Sequence, residues 1–475
     1  MTLYLDMKYA IIPACSALIL AGCTAVGPDF QKPDQVKAQN WTLSQAGLYK
    51  TTEINSRWWR TFEDPLLRKL VESALRSNND LAQAGARVRE ARALREVAAS
   101  TLFPDIGTSA SALKETISEN GRIPAGAIPA IPKRRNVFES GFDASWELDV
   151  FGGNRRQVEA ADARMAGVEE GRRSIQLSVV AESARNYLEL RGLQRQIAII
   201  EKNLTLQQHT LDLTNDKLRV GTGTDFEVAR AEGQLRATEA RLPNLNAEIA
   251  AGAYRLSVLT GQRPDALLND LLKREPLPAP PDRVPVGLPS DLLRRRPDIR
   301  RAEYELAAAT ADIGVATADL FPRFSLTGAA GLEALHFTDL FQSGSNTARL
   351  GPQVRWPIFQ AGRIRANIKA TEARADAAAA AYEQAVLAAL GETEAALERY
   401  GRELETRRKL QGAVDSNQRA VDLAKQRFDI GTGTQFEVID AEARLLAVES
   451  DLVQSETASL TKLVALYKAL GGGWD

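Results

Sequence analysis

An internal duplication constrains this chain more than any other feature of its sequence. The letters VGTGT at 220–224 return as IGTGT at 430–434, an offset of 210 residues. Upstream, the letters LFP at 102–104 and 320–322 match at an offset of 218, so the first copy carries about eight extra residues. A repeat of this length is a whole supersecondary module, and two copies imply a pseudo-symmetric fold.

Each of the two Gly-Thr-Gly-Thr turns interrupts a long helical pattern. The stretches 152–219 and 362–429 contain no proline, and a helix of that length would span roughly 100 Å. Around the first turn, apolar residues recur every seven positions, at Leu190, Ile197, Leu204, Leu211, Leu218, Val228, Leu235, Leu242, Ile249 and Leu256. This heptad predicts two arms that wrap as a left-handed coiled coil. Pro243 has Val453 as its counterpart, which predicts a bend in the first copy only.

Alternating patterns predict one β-hairpin in each copy of the repeat. In the first hairpin Phe138, Phe142 and Trp146 share one face, and Trp356 takes the place of Trp146 in the second copy. A transmembrane strand needs roughly 9–11 residues, an apolar face toward lipid and aromatic residues at the interfaces. The four aromatic residues are therefore candidate membrane-interface residues, and two ordinary soluble hairpins are the alternative.

Two hairpins supply too few strands for a membrane protein of one chain. Four strands cannot close a barrel, since even small barrels need about eight. Open strand edges in lipid would leave backbone groups without hydrogen-bond partners. If these strands lie in a membrane, several chains must pool them.

The N-terminus resembles a bacterial lipoprotein signal. An apolar run at 10–21, too short to span a bilayer, follows Lys8 and ends in the letters LAGC at Cys23. Cleavage before Cys23 would expose a cysteine whose thiol is acylated, and this covalent lipid is the only attached group expected. Thr24 follows, and the lack of Asp there favours delivery to the outer membrane. An ordinary secretion signal with an incidental cysteine is the alternative.

Together, the repeat, the helical stretches and the alternating segments predict a mainly α protein with β structure. It is made of duplicated modules, each with a helix, a β-hairpin and a long helical hairpin. Asp80 is the expected N-cap of the helix that ends before Pro104. The segments are a signal peptide at 1–22, a lipidated strap at 23–62, a first repeat at 63–261 with a β-hairpin at about 105–150 and a tip at 220–225, an extended proline-rich linker at 262–290, a second repeat at 291–471 with a β-hairpin at about 323–359 and a tip at 430–435, and a tail at 472–475.

Composition and motifs argue against several classes of function. The net charge of −1 gives no field for steering onto nucleic acid. Both cysteines lie within the first 23 residues, so neither a disulfide framework nor a zinc site is expected. The Gly-Thr-Gly-Thr turns lack the Lys and the preceding strand of a phosphate loop. His209 and His336 fall in different predicted layers, so the sequence predicts neither metal nor catalysis.

The letters GLPSDLLRRRPDI at 287–299, with Trp58-Trp59, Asp64-Pro65, the lipobox and the duplicated tips, resemble the TolC/OprM outer-membrane efflux channel family, in its NodT-type lipoprotein branch. The resemblance covers nearly the whole mature chain. It implies a homotrimer whose twelve strands form one barrel in the outer membrane and whose helices form a tunnel across the periplasm. Its implied function is the exit duct of a tripartite efflux pump.

The resemblance also implies roles for the two hairpin tips. They would meet a periplasmic adaptor, or membrane fusion protein, which joins the channel to an inner-membrane pump of the RND type. Glycines and small hydroxyls permit close backbone approach, whereas a tight turn with no partner is the alternative. The candidate adaptor contacts are Gly221, Thr222, Gly223, Thr224, Gly431, Thr432, Gly433 and Thr434.

By the same resemblance, the periplasmic gate lies just after the second tip. The matching positions are Phe436 and Asp440, one helical turn apart, and their counterparts in the first copy are Phe226 and Arg230. We hypothesise that Arg230 and Asp440 pair between neighbouring hairpins and hold the tunnel shut. Some members of the family carry an Arg three residues after the acidic residue, where this chain has Ala443.

Two other readings share most of these features. A lipid-anchored periplasmic coiled-coil scaffold without a pore would need the helices and the lipobox but no membrane strands. A TolC-like duct for protein secretion would share the architecture with a different cargo. A lumen of polar and small residues suits many cargoes, so the sequence leaves the cargo open.

Overall fold

The structure is a computed structural model, and it describes residues 25–33, 41, 48–50, 52, 55–118, 132–281 and 283–474. The predicted signal peptide and the predicted lipidation site, Cys23, lie outside these residues and stay predictions. Within the described residues the chain divides into two compact units.

The bounds of the elements follow the duplicated pattern of the sequence. The strands are β1 (Tyr49–Lys50), β2 (Asp105–Thr116), β3 (Arg134–Leu148), β4 (Val284–Pro285), β5 (Arg323–Ala334) and β6 (Asn346–Arg355). The helices are α1 (Pro65–Ser77), α2 (Asn79–Ser100), α3 (Gly153–Arg219), α4 (Asp225–Glu239), α5 (Leu242–Leu259), α6 (Leu268–Leu271), α7 (Pro289–Arg295), α8 (Pro297–Ala318), α9 (Arg363–Asp429) and α10 (Gln435–Ala469). Short 3-10 turns lie at Trp58–Phe62, Phe337–Asp339 and Ser343–Ser345.

One antiparallel sheet forms the centre of the first unit, which contains 25–33, 89–168 and 302–382. Its strand order is β2-β3-β5-β6. The two hairpins predicted from the sequence are joined by β3 and β5, with Trp146 opposite Leu326. Both predicted hairpins, β2-β3 and β5-β6, are therefore present, and the pairing of β3 with β5 joins them into one four-stranded sheet. Sequence periodicity could not show this, because the β3–β5 pairing joins the two copies of the repeat.

The sheet has two chemically distinct faces. Directly opposed residues in antiparallel strands share a face, so the register assigns every side chain to one side. The exposed apolar residues of one face include Ile106, Phe142, Trp146, Leu148, Leu326, Leu350 and Val354. The opposite face is mainly polar and carries one exposed leucine, Leu113, beside Asp105, Glu139, Asp143, Glu147, Ser325, Thr327, Arg349 and Gln353. An apolar face without cover in a single chain is the pattern of strands that meet lipid.

Both copies fasten their strands to the preceding helix by the same contact. Trp146 donates its indole N–H to the carbonyl of Leu102 at 2.9 Å, and Trp356 donates to the carbonyl of Leu320 at 3.1 Å. The duplication therefore extends to individual hydrogen bonds.

An aromatic cluster forms part of the core of the second unit, which takes in the described residues of 34–88, 169–301 and 383–475. Trp58 stacks on Tyr467 at 5.0 Å and donates to the carbonyl of Gly472 at 3.0 Å. The Tyr187 hydroxyl donates to Asp64 at 2.6 Å, and Asp64 also caps α1. Burial, together with the neighbouring Asp64 carboxylate, raises the pKa of Tyr187 well above its usual range. That hydroxyl therefore remains a donor.

The linker at 262–290 is less extended than the sequence predicted. It contains the one-turn helix α6, whose Leu271 is fully buried, and α7 begins at Pro289. Strand β4 pairs in parallel with β1 of the strap, which places Tyr49 opposite Val284. The linker is not fully extended because apolar side chains between its prolines, such as Leu271 and Val284, are buried in the second unit.

The stretch at 287–299, which carries the family resemblance, has a structural role in this unit. Arg296 is largely buried and binds Asp298 at 2.7 Å and Glu392 at 2.8 Å. It also donates to the carbonyl of Ala469 at the end of α10, at 2.8 Å. A planar guanidinium with several donors suits this arrangement, whereas Lys would satisfy fewer partners. The signature thus joins three helices.

The long helices confirm most of the helical predictions. Helices α3 and α9 each run for 67 unbroken residues, which corresponds to roughly 100 Å. The return arm is broken between α4 and α5, just before Pro243, whereas α10 is continuous, as predicted. The predicted cap Asp80 is wrong, because Asn78 accepts the backbone N–H groups of Asp80 and Leu81. None of the described helices has the length and apolar character that a membrane span requires.

The predicted heptad follows the buried face of α3 only in its first half. Leu190 and Ile197 are buried, whereas Leu204, Leu211 and Leu218 are half-buried. Beyond Ile200 the buried positions of α3 are polar, namely Asn203, Gln207, Thr210 and Thr214. The heptad of apolar residues therefore does not predict which face of α3 is buried near the tip. That face lies beside the heptad and makes polar contacts with α10.

Candidate functional site

The first hairpin tip is a tight turn closed by backbone hydrogen bonds. The backbone N–H groups of Thr222 and Gly223 both donate to the carbonyl of Lys217, at 2.9 Å and 3.0 Å. Gly221 has φ 77°, in the left-handed region that glycine adopts without strain. Thr224 then caps α4 in a reciprocal capping box with Glu227. One helix thus ends and the next begins within five residues.

The second tip repeats this geometry. Thr432 and Gly433 donate to the carbonyl of Arg427, both at 2.9 Å, and Gly431 has φ 76°. Thr434 accepts from the backbone N–H of Glu437 at 3.3 Å and so caps α10. The structure therefore places all eight predicted tip residues in two matched turns.

The two glycines of each tip serve different purposes. A Cβ on Gly221 or Gly431 would meet nothing within 4 Å, so these positions need glycine for backbone conformation and face open space. A Cβ on Gly223 would lie 2.9 Å from the backbone nitrogen of Leu218, and Gly433 is similarly crowded by Arg427. The first glycine of each tip is therefore free to meet a partner, whereas the second is needed for close packing.

Each tip exposes apolar side chains, of which Val220 and Ile430 were not predicted from the sequence as site residues. Val220 and Ile430 flank the first glycines and are exposed, as is the predicted gate residue Phe226, at 73%. Phe436 is 53% exposed. Exposed apolar residues beside open glycines form a surface that can bury area against another protein.

Within one chain the two tips lie side by side. The guanidinium of Arg230 lies over the Phe436 ring, 4.1 Å from its centroid, and Lys217 lies 3.2 Å from the centroid of Phe428. The structure therefore brings together two of the predicted gate residues, Arg230 and Phe436, from different copies of the repeat. Such cation–π contacts contribute ~0.5–1 kcal/mol at exposed sites.

Asp440 has a partner that the sequence analysis missed. Its carboxylate lies 3.0 Å from Arg444, one turn further along α10. The spacing of four residues was a usable signal, since oppositely charged residues at that spacing face each other on a helix. The predicted pairing of Arg230 with Asp440 between hairpins remains a prediction.

Behind the second tip, a buried polar seam joins α3, α9 and α10. The Glu442 carboxylate is almost fully buried, lies 2.8 Å from Lys425 and accepts from the Thr210 hydroxyl at 3.3 Å. Further from the tip, Glu449 accepts from Asn203 at 2.9 Å. Buried charges need such partners, because an unpaired charge loses its hydration without compensation.

The seam distinguishes the two copies of the repeat. Glu232, the counterpart of Glu442, is a surface residue whose side chain is 55% exposed. At the counterparts of Thr210 and Thr214 the second copy has Ala420 and Ala424. Glu232 and Glu442 occupy equivalent positions of the two copies, so the sequence does not show which of them is buried.

The predicted membrane-interface aromatics lie along the apolar face of the sheet. Phe138 contacts Phe337 at 5.7 Å near one end of β3, and Trp146 lies eight residues away near the other end. Eight residues of strand span about 27 Å, close to the apolar band of an outer-membrane barrel, about 25 Å tall. Phe142 lies midway between them and is exposed. Trp356 is exposed at the end that carries Trp146.

A sheet with one apolar and one polar face, carried by a chain whose long helical hairpins end in matched tips, defines an outer-membrane channel protein. No group of three or more His, Cys, Asp or Glu side chains in the described part of the chain is placed to hold a metal ion. The family model of outer membrane efflux proteins matches residues 70–262 and 288–472. The chain belongs to this family.

Known relatives resemble the chain over nearly its full length. It is 33% identical to the solvent efflux pump outer membrane protein SrpC of Pseudomonas putida, over 99% of each chain. It is 31% identical to the pyoverdine export outer membrane protein OpmQ of Pseudomonas aeruginosa, over 98% of this chain and 97% of the relative. The solved outer-membrane channel OprN matches with a TM-score of 0.88 and 39% identity, over 94% of this chain and 99% of OprN.

These similarities confirm four of the predictions made from the sequence. The resemblance to the efflux channel family, the fold class of duplicated helical and β modules, and the function as an outer-membrane efflux channel all agree with them. The location in the outer membrane, reaching into the periplasm, agrees as well. The family consists of transport conduits rather than enzymes.

Proposed function

We propose that the chain works as a homotrimer that forms the exit duct of a tripartite efflux pump. The observation that carries this proposal is the sheet, one face of which exposes a set of apolar side chains on β2, β3, β5 and β6. Its edge strands β2 and β6 have one neighbour each among the described strands. Edges of this kind are intolerable in lipid, so they must pair with strands of other chains. Three chains would supply twelve strands, enough to close a barrel around the polar face.

The lipid-facing assignment is tested by two substitutions on β6. Leu350→Arg places a charge on the apolar face, where Leu350 is 81% exposed, and should cost ~2–4 kcal/mol near the middle of the bilayer. Gln353→Arg is the matched control, because it places the same charge on the polar face. We expect the first variant to lose most of its heat-modifiable oligomer in outer-membrane fractions and the second to keep it. Equal yields of the two variants would contradict the assignment.

We propose that the tips bind a periplasmic adaptor, which connects the channel to an inner-membrane pump of the RND type. The relatives named as outer membrane proteins of efflux pumps support a partner of this kind. The exposed Val220 and Ile430 provide apolar contacts, and Gly221 and Gly431 leave room for close approach. A few apolar anchors at the centre of a contact commonly carry most of its binding energy.

The gate is proposed to form where the two tips of neighbouring hairpins meet. Asp440 and Arg444 make an exposed pair at i,i+4, which contributes only ~0.3–0.5 kcal/mol. Asp440 can therefore exchange Arg444 for Arg230 of a neighbouring hairpin at little cost. Phe436 and Phe226 would narrow the opening beside this pair.

Planar bilayer recordings test the gate. Asp440→Ala should raise the open probability of single channels, because it removes the acidic partner that would hold neighbouring hairpins together. Asp451→Ala is the control, since Asp451 is exposed on the same helix, further from the tip. An unchanged open probability in Asp440→Ala would reject the proposed gate.

Acylation of Cys23 is proposed to anchor the mature chain in the outer membrane, and no catalytic role is proposed for any residue. Relatives of similar identity are named for solvents in one case and for pyoverdine in another. The cargo of this chain is therefore proposed to be set by the pump that it serves.

A further inference from the structure

The segment that follows the predicted lipidation site is built into the first unit by one buried arginine. Arg156 lies in the first turn of α3 and is only 4% exposed. Its guanidinium donates to the carbonyls of Val26 at 3.1 Å and Gly27 at 3.3 Å, and to Asp29 at 2.6 Å. It also donates to Glu159 at 2.8 Å. We call 25–33 the anchor segment.

The backbone of the anchor segment packs without clearance on two glycines. A Cβ on Gly152 would lie 2.5 Å from the Cα of Ala25, and a Cβ on Gly314 would lie 2.8 Å from the carbonyl oxygen of Val26. The backbone N–H of Val26 donates to the carbonyl of Phe151 at 3.0 Å. The segment is therefore held by packing and by hydrogen bonds on both sides.

The duplication shows which of these residues the repeat itself requires. Gly152 and Gly362 both have positive φ, so both copies need glycine at that turn. The counterpart of Arg156, however, is Ala366, and a Cβ on Gly362 would meet nothing within 4 Å. The second copy thus makes the same turn and the same long helix without an arginine and without an anchor segment.

Gly314, like Arg156, contacts the anchor segment and is not matched by the same residue in the other copy of the repeat. At the offset of 218 that applies to this part of the chain, its counterpart in the first copy is Glu96. Glycine in the interior of a helix costs about 0.5–1 kcal/mol relative to alanine, so its presence in α8 needs a reason. The close approach of Val26 supplies that reason.

We infer that Arg156 is a positioning residue for the lipid anchor. It fixes the anchor segment on the corner between β3 and α3, so that acyl chains on Cys23 enter the membrane beside the end of β3. Ala25 is two residues from Cys23, a distance of at most about 7 Å along an extended chain. Exposed apolar side chains already lie at this corner, namely Phe103, Leu148 and Val150. The inference rests on the proposed acylation of Cys23.

Hydrogen exchange of the Val26 amide in the purified full-length protein measures how firmly the anchor segment is bound to the rest of the first unit. Arg156→Met should speed exchange of the Val26 amide by roughly ten- to a hundredfold, the range expected when a hydrogen bond to a charged group is lost. Arg156→Lys should behave similarly, since one ammonium group cannot reproduce the planar fork. Arg164→Met is the control, because Arg164 on the same helix pairs with Asp312 and not with the anchor segment. Unchanged exchange in Arg156→Met would overturn the inference.

A double-mutant cycle separates positioning of the lipid from general stability. Arg156→Met should lower the amount of heat-modifiable oligomer in outer-membrane fractions several-fold when Cys23 is present. The same substitution should have no further effect in a Cys23→Ser chain exported with a cleavable secretion signal, because the lipid is then absent. An equal loss in both backgrounds would show that Arg156 serves folding alone and would overturn the inference. If Cys23→Ser left palmitate labelling unchanged, the proposed acylation itself would fail.

Discussion

At the scale of single residues, the first glycine of each tip combines two properties that are usually separate. Its positive φ excludes most side chains, yet the space around its Cα is open. Gly223 and Gly433 are different, because neighbouring atoms fill the space that a Cβ would need. The distinction allows the backbone requirement and the contact requirement to be tested independently.

The substitution that makes this test is Gly221→Asn combined with Gly431→Asn. The left-handed conformation costs most L-residues about 1–2 kcal/mol, but Asn adopts it more readily, so the turns should persist. Its side chains would nevertheless stand where the adaptor is proposed to approach. We expect resistance to pump substrates to fall sharply while the amount of folded oligomer stays unchanged.

Gly233→Ala is the matched control for this experiment. Gly233 lies within α4, and a Cβ there would meet nothing within 4 Å. Alanine at such a site stabilises a helix by about 0.5–1 kcal/mol and should leave efflux intact. Unchanged resistance in the double asparagine variant would argue that the tips are turns without a partner.

At the scale of elements, the polar seam predicts where the helical hairpins are held together. Glu442→Gln removes the charge that Lys425 and Thr210 share, and breaking a buried pair costs on the order of 3 kcal/mol. We expect the amides of α10 near the tip to exchange about a hundredfold faster in hydrogen-exchange measurements.

The duplication provides the control for this prediction. Glu232→Gln changes the equivalent residue of the first copy, whose side chain is largely exposed. Surface substitutions of this kind usually alter stability by less than ~0.5 kcal/mol. Similar exchange rates in the two variants would mean that the seam does not hold the hairpins.

Local patterns predicted the elements well, and tertiary contacts account for the failures. The unbroken helices, the break before Pro243 and the two-faced strands follow from proline placement and periodicity. The joining of β3 to β5 depends on residues more than 170 positions apart and has no local signal. The cap at Asn78 was missed because Asp80, two residues later, is an equally good capping type.

The sequence predicted the parts of the site that form local motifs and missed the parts that depend on packing between helices. The tip residues were found because a turn of two glycines and two threonines is a local motif that occurs twice. The contact of Arg230 with Phe436 and the burial of Glu442 depend on packing between helices of different copies. No spacing within one helix could indicate either contact.

At the scale of the whole molecule, the differences between the copies are more informative than their similarity. Both copies keep the tryptophan that ties strand to helix and the turn that forms the tip. Only the first copy has Arg156 and holds an anchor segment. Only the second has the buried Glu442. The shared features build the architecture, and the differences mark tasks that each chain performs once.

The central claim is that three copies of this chain form one conducting pore. The most direct test is the electrical conductance of the purified, detergent-resistant oligomer in planar lipid bilayers. We predict discrete single-channel steps from an oligomer whose mass is three times that of the mature chain. A folded and acylated protein that remained a single chain, or that bound to the bilayer without conducting ions, would contradict the claim.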